Sequence, residues 1–271
     1  DVKKLNSFIL TAEQIRKKGI PKPVMLLNYW LVEGEITMMY GQWGCGKSLL
    51  SIALAYVLGL RDFDREECDI GEWQVAQNTG CLYVDGELGE QEMEHRIKSF
   101  EWLGEQKYRT KVFAVPEYQL ATENSFYLSE RKNQTKIIQW LKEHKNYKLI
   151  ILDSVSTLFG LIQENDNSEW NSKITPFLRD LRALGVATIL LHHAGKDNKR
   201  GLRGASSMGA MMNNIYRLTS HDKKNVDDGK AWFMLTKDKQ RAGGKQFKTF
   251  SLKFMQNENK TETHWEITEN Y

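Results

Sequence analysis

A mainly parallel α/β sheet with helices on both faces and an antiparallel C-terminal extension is the fold that three observations predict. From Ile36 to Leu191, short runs apolar on both faces alternate with helical patterns, the signature of strands buried between two helical layers. A glycine-rich stretch joins the first of these runs to the helical pattern after it, over Ile36 to Ser48. Beyond Ile215 the strand patterns follow one another without helices between them.

Thr11 to Lys18 reads as a short helix with Thr11 as N-cap, ended by Pro21 and Pro23; it is either an arm or cover over the core or an ordinary surface helix. Val24 to Val32 leads into the first strand. Leu49 to Leu60 is apolar on most faces, as a helix packed against a sheet must be. Arg61 to Asn78 is polar with an excess of acids and reads as a surface excursion. Gly80 to Val84 is a buried strand ending in Asp85-Gly86-Glu87, and Glu90 to Leu103 has helical spacing with Met93, Ile97 and Phe100 on one face. Val112 to Val115 is a third strand, Gln134 to His144 an amphipathic helix, and Leu149 to Leu152 a fourth strand ending in Asp153. Ser168 to Leu184 is a helix with Trp170, Ile174, Phe177, Leu178 and Leu181 inward, and Val186 to Leu191 a fifth strand ending in His192-His193. Ile215 to Thr219, Ala231 to Thr236, Phe247 to Phe254 and Trp265 to Thr268 are expected to extend the sheet antiparallel.

With 271 residues, 41% hydrophobic and 27% charged, the chain has material for one large or two small cores, which excludes disorder and fibrous repeats. No apolar run approaches the roughly eighteen residues of a bilayer span, and Asp1 to Asn6 is too polar for a signal peptide, so a cytoplasmic protein without membrane contact is expected. Cys45, Cys68 and Cys81 form no C-x-x-C pair and have no His at zinc-ligand spacing; they read as reduced thiols. A charge of +3 is compatible with a nucleic-acid partner without requiring one. The first residue is Asp, which points to a piece of a longer polypeptide.

Gly41, Gly46, Lys47 and Ser48 fit the pattern G-x-x-x-x-G-K-[ST], and the strand before and helix after are the context that motif needs. The loop Gly41, Gln42, Trp43, Gly44, Cys45, Gly46, Lys47, Ser48 and Leu49 would cradle phosphates through its N–H groups and the helix N-terminus. Lys47 would stand at the β and γ phosphates and the Ser48 hydroxyl at Mg²⁺. Asp153, ending an apolar strand, fits the second metal-orienting acid. Ser154 follows it, so the acid that activates water must come from elsewhere: Glu87 or Asp85, which alternation places on one face and does not separate. His193 ends the fifth strand, where a donor could touch the γ-phosphate. Residues 195–207 are glycine-rich and basic, either a mobile loop contacting nucleic-acid phosphates or a solvated surface loop. Lys239 and Arg241 form a Lys-x-Arg pair at a strand end, able to reach a neighbouring subunit's γ-phosphate or to be a surface charge cluster.

Together the motifs resemble the RecA-like ATPases, most closely the branch of RepA-type plasmid replicative helicases, which is related to the DnaB-type helicases. The matching stretches are Gly34 to Thr37 leading into Gly41 to Ser48, Tyr83 to Glu87, Leu149 to Thr157, Glu164 to Ser168, His192 to Lys196, Arg203 to Ser207 and Lys239 to Gly243, in the family's order. The resemblance implies an N-terminal arm over 1–30 and a RecA-like ATPase domain over 31–271. It implies that Glu87 is the catalytic glutamate, His193 the γ-phosphate sensor, and Lys239 and Arg241 the trans-acting pair, although Arg203 and Arg217 lie where related helicases also place an interface arginine. Gly160 to Asn167 and Lys196 to Gly204 become candidates for a channel lining; the first carries Glu164 and Asp166 and no basic residue. ATP and Mg²⁺ follow as ligands and single-stranded DNA as partner. A hexameric ring follows as the assembly, and further domains or a primase as companions. Two other readings stand beside this one: a filament-forming recombination or repair ATPase, and a regulatory nucleotide-binding switch that does not act on DNA.

Overall fold

The computed structural model describes residues 5–19, 22–28, 30–60, 73–160, 166–194, 206–220, 230–240, 249–259 and 262–270. A small antiparallel ribbon of β1 (Met25–Leu27) and β2 (Leu31–Val32) precedes a nine-stranded sheet. The sheet's strands are β3 (Ile36–Gly41), β4 (Gly80–Asp85), β5 (Lys111–Ala114), β6 (Tyr147–Asp153), β7 (Ala187–His193), β8 (Asn214–Ser220), β9 (Lys230–Gln240), β10 (Thr249–Gln256) and β11 (Thr263–Asn270). Their spatial order is β11-β10-β9-β8-β3-β7-β6-β4-β5.

The expected extension is antiparallel in three of its four strands. β8 instead runs parallel to β3, with Thr37 opposite Asn214 and Gly41 opposite Leu218. A short helix over Ser206–Met211, absent from the sequence reading, lies in the connection that brings β8 back in the same direction. From β8 onward β9, β10 and β11 alternate direction.

Helix α1 (Ala12–Lys17) carries the expected cap: Gln14 N–H donates to the Thr11 hydroxyl at 3.2 Å, and Thr11 N–H to the Gln14 side chain at 2.8 Å. None of its residues is buried. Helix α2 (Lys47–Gly59) is buried on nearly every face because the sheet lies below it and Leu26, Leu27, Trp30 and Trp73 join the same core cluster. Trp73 has no exposure and meets the rings of Trp30 and Phe250, so the presumed surface excursion returns to the core by residue 73; 61–72 lie outside the described residues.

Helix α3 (Gly89–Lys98) stops before a 3₁₀ turn over Glu101–Leu103, shorter than its spacing predicts. Helix α4 (Val115–Thr122) replaces the end of the expected third strand, because Pro116 suits the first turn of a helix and cannot donate to a ladder. Helices α5 (Arg131–Glu143) and α6 (Val155–Phe159) follow, then a helical segment from α7 (Asn167–Glu169) through a π-turn (Trp170–Ile174) into α8 (Thr175–Ala183). With α9 (Ser206–Met211) these cover the second sheet face, where Met38, Leu152 and Leu190 meet Ile137, Phe177, Leu181 and Met208 in one cluster.

Candidate active site

The parallel strands β3, β4, β6 and β7 end at one rim, and the chemistry gathers there. β3 ends at Gly41, where a Cβ would stand 2.2 Å from the Leu218 carbonyl oxygen. Gly46 has φ 82° and a Cβ there would stand 2.8 Å from the Phe233 ring. Both positions therefore exclude side chains, which is why the loop needs glycine at each. Gly46 caps α2 without any side-chain hydrogen bond, so the first-turn N–H groups remain for an anion.

Lys47 is 5% exposed, and its Nζ donates to the carbonyls of Gly41 at 3.0 Å and Gln42 at 2.9 Å. It lies 3.8 Å from Cys45 Sγ, whose thiol burial pushes up, and 3.5 Å from His193 Nδ1. His193 Nε2 meets Glu87 Oε1 at 3.0 Å, and the same oxygen accepts from Ser154 Oγ at 2.5 Å. With the proton on Nε2, the imidazole accepts from Lys47 and donates to Glu87, so Lys47, His193, Glu87 and Ser154 form one bonded chain. The bonds from His193 and Ser154 outweigh burial and hold the Glu87 carboxyl below its ordinary value. Trp43, 72% exposed, stacks on the His193 ring with centroids 3.6 Å apart and planes 10° apart. His192 is buried, so of the adjacent pair only His193 enters the site.

Asp85 and Glu87, which alternation leaves equivalent, differ in the structure. The fully buried Asp85 carboxylate accepts N–H bonds from Glu87 at 3.0 Å, Leu88 at 3.0 Å and Gly89 at 2.7 Å. It is the clasp of the turn that presents Glu87. Asp153, 2% exposed, faces α2 and accepts from Ser48 and from Tyr83 Oη at 2.7 Å. Burial pushes its carboxyl up against the pull of those two donors, and Glu87 and Asp85 add to the rise.

Ser48 and Asp153 offer hard oxygen atoms, the donor type that suits Mg²⁺. Among the described residues no three His, Cys, Asp or Glu side chains cluster as a metal site, so a metal here would draw further ligands from phosphate oxygens and water. A cleft of about 450 Å³ runs from the loop between α3 and the late strands, lined by His95 and Arg96 on one side and Phe233, Phe254 and Gln256 on the other.

Lys239, the described member of the expected trans-acting pair, sits apart from this cleft. Lys239 lies opposite Ile215, at the sheet end away from the loop, and its Nζ donates to the Gly209 carbonyl. Asp238 is the extra residue of a bulge in β9; it accepts from the Tyr40 hydroxyl and lies 3.9 Å from the Arg217 guanidinium. Arg203, Arg241, residues 161–165 and residues 195–205 lie outside the described residues, and with them most of both expected channel loops. Tyr83 and Ser154 are site residues that motif reading passed over. Alternation puts Tyr83 on the strand face of Asp85, but its partner Asp153 lies on the neighbouring strand, and the pairing becomes visible only with the register of β4 against β6.

A loop of this form on a sheet of this order defines a RecA-like P-loop ATPase. More specifically, the chain belongs to the family of AAA domains, whose model matches residues 4–199. Its fold is similar to that of the RadB recombinase, with TM-score 0.52 and 18% identity over 86% of this chain and 91% of that one. It is likewise similar to the flagellar accessory protein FlaH from Methanocaldococcus jannaschii, with TM-score 0.51 and 16% identity over 88% and 90%. No curated protein sequence shows a significant match. Among the described residues no helix is long and apolar enough to cross a membrane.

Proposed function

We propose that the chain is an ATP-hydrolysing motor that assembles as a hexameric ring and moves on single-stranded DNA, as a replicative helicase of a plasmid, phage or other mobile element does. The observation that carries the hydrolysis is the chain of contacts from Lys47 through His193 to Glu87, which joins a phosphate-binding cation to a carboxylate base. Loop N–H groups and Lys47 hold the triphosphate, and the ionised Glu87 orients water and takes its proton. His193, between the two, registers the γ-phosphate. Ser48 and Asp153 would hold Mg²⁺, which would supply charge neutralisation at the phosphates.

Ring assembly is supported by Lys239. It lies six positions along β9 from Phe233, whose ring lies beside the loop glycine Gly46, so it stands about 20 Å from its own site, and in the ring reading it is assigned to a neighbouring copy's site. Mixing Lys47→Ala with Arg241→Ala subunits should restore part of the turnover if Arg241 acts in trans. No recovery in assembled rings would point to Arg203 or Arg217.

ATP turnover with and without single-stranded DNA tests the motor. Stimulation followed by displacement of a forked duplex is the expected result. Turnover indifferent to DNA would overturn the motor and leave a nucleotide switch, while stimulation with filaments in particle images and no strand displacement would leave a recombination or repair ATPase.

A further inference from the structure

Asp85, Glu87 and Asp153 converge at the adjoining ends of β4 and β6, and each is held differently. Asp85 is clasped by backbone N–H groups, and Glu87 is held by two side chains at the mouth of the cleft. Asp153 is held from behind. Tyr83 lies opposite Ile151 in register, two residues short of Asp153 on the same sheet face, so its ring leans along the strand and sets its hydroxyl on Oδ2. The Tyr83 ring has no exposure and belongs to the core cluster under α2. It cannot touch a ligand, and its oxygen is fixed by ring packing. Ser48, the other donor to Asp153, is half-buried and lines the cleft.

Resting on the reading of this loop as a nucleotide site, we propose that Tyr83 is a positioning residue for the metal: it anchors Oδ2 of Asp153 and so fixes the carboxylate that backs Ser48. A carboxylate among two other acids, without that anchor, would settle wherever donors remain, and the oxygen presented toward Ser48 would no longer be fixed. The phenol's contribution is therefore confined to the metal-dependent part of nucleotide affinity.

The test is the affinity of Tyr83→Phe for a fluorescent, slowly hydrolysed ATP analogue, measured in saturating Mg²⁺ and again in EDTA. The variant keeps the packed ring and removes only the hydroxyl. Affinity in Mg²⁺ should fall about tenfold, while affinity in EDTA stays at the wild-type value. Placing p-aminophenylalanine at position 83, which retains a donor, should restore the Mg²⁺-dependent affinity. An equal fall in both conditions, no change in either, or no rescue by the donor-bearing ring would overturn the proposal. Failure of the wild-type protein to bind in either condition would instead overturn the nucleotide-site reading, so the two failures are distinct.

Discussion

Replacing Glu87 by Gln keeps the side chain's shape and its neighbours Ser154 and His193 while removing the charge that, in the proposed reaction, takes the proton from water. Loss of a positioned base costs about 10²- to 10⁴-fold, so kcat should fall by that factor. Affinity for ATP should stay within about threefold, because phosphate binding rests on Lys47 and the loop. Single-turnover kinetics with a separate binding titration measures both. A Glu87→Gln enzyme with wild-type turnover, or one whose loss is entirely in affinity, would refute the assignment of Glu87 as base. The same variant carries a pH signature. The Glu87 carboxyl is held below its ordinary value of 4.5, chiefly by His193, so its stabilising contribution is present above 4.5 and is lost as pH falls through the lower folded value. Acid unfolding below pH 4.5 should therefore be steeper in the wild type than in Glu87→Gln, and melting curves at successive pH values would show it.

Substitutions at four further positions test the same geometry. Asp85→Asn weakens three charge-assisted bonds to backbone N–H groups and should cost about 3 kcal/mol, lowering the melting temperature by roughly 6–12 °C and disturbing Glu87 with it. Gly46→Ala meets both a positive φ and the Phe233 ring, so it should abolish nucleotide binding and cost about 3 kcal/mol. Gly44→Ala, with φ 72° and open space around the new Cβ, should cost only about 1 kcal/mol, as chemical denaturation would show. Trp43→Ala should leave stability nearly unchanged, since the indole is mostly exposed, yet slow turnover roughly 3- to 10-fold by releasing the His193 ring; Trp43→Phe should recover most of it.

The strand, loop and helix around Gly41 to Ser48 were legible because each level agrees: a buried run, obligatory glycines and an apolar helix. Asp153 and His193 were legible as strand ends. The distinction between Asp85 and Glu87 was not, because it depends on three amides folding back onto one carboxylate, and alternation alone carries no information about a turn. Tyr83 was hidden for a related reason, since a tyrosine in a buried strand looks like core until the neighbouring strand's register is known. The parallel run of β8 was missed because, among the described residues, its connection holds a helix of just six residues, Ser206–Met211, next to a stretch that reads as glycine-rich loop.

The length of β9 has a mechanical consequence. One strand places Phe233 against the glycine of its own phosphate cradle and Lys239 at the far rim of the sheet. Over residues 233–236 it is hydrogen-bonded to β8 on one side and β10 on the other, and the bulge at Asp238 then interrupts its pairing with β8 before Lys239. A displacement of the phosphate cradle is therefore carried stiffly as far as Thr236, and the bulge at Asp238 is the joint at which its direction can change before it reaches the far rim.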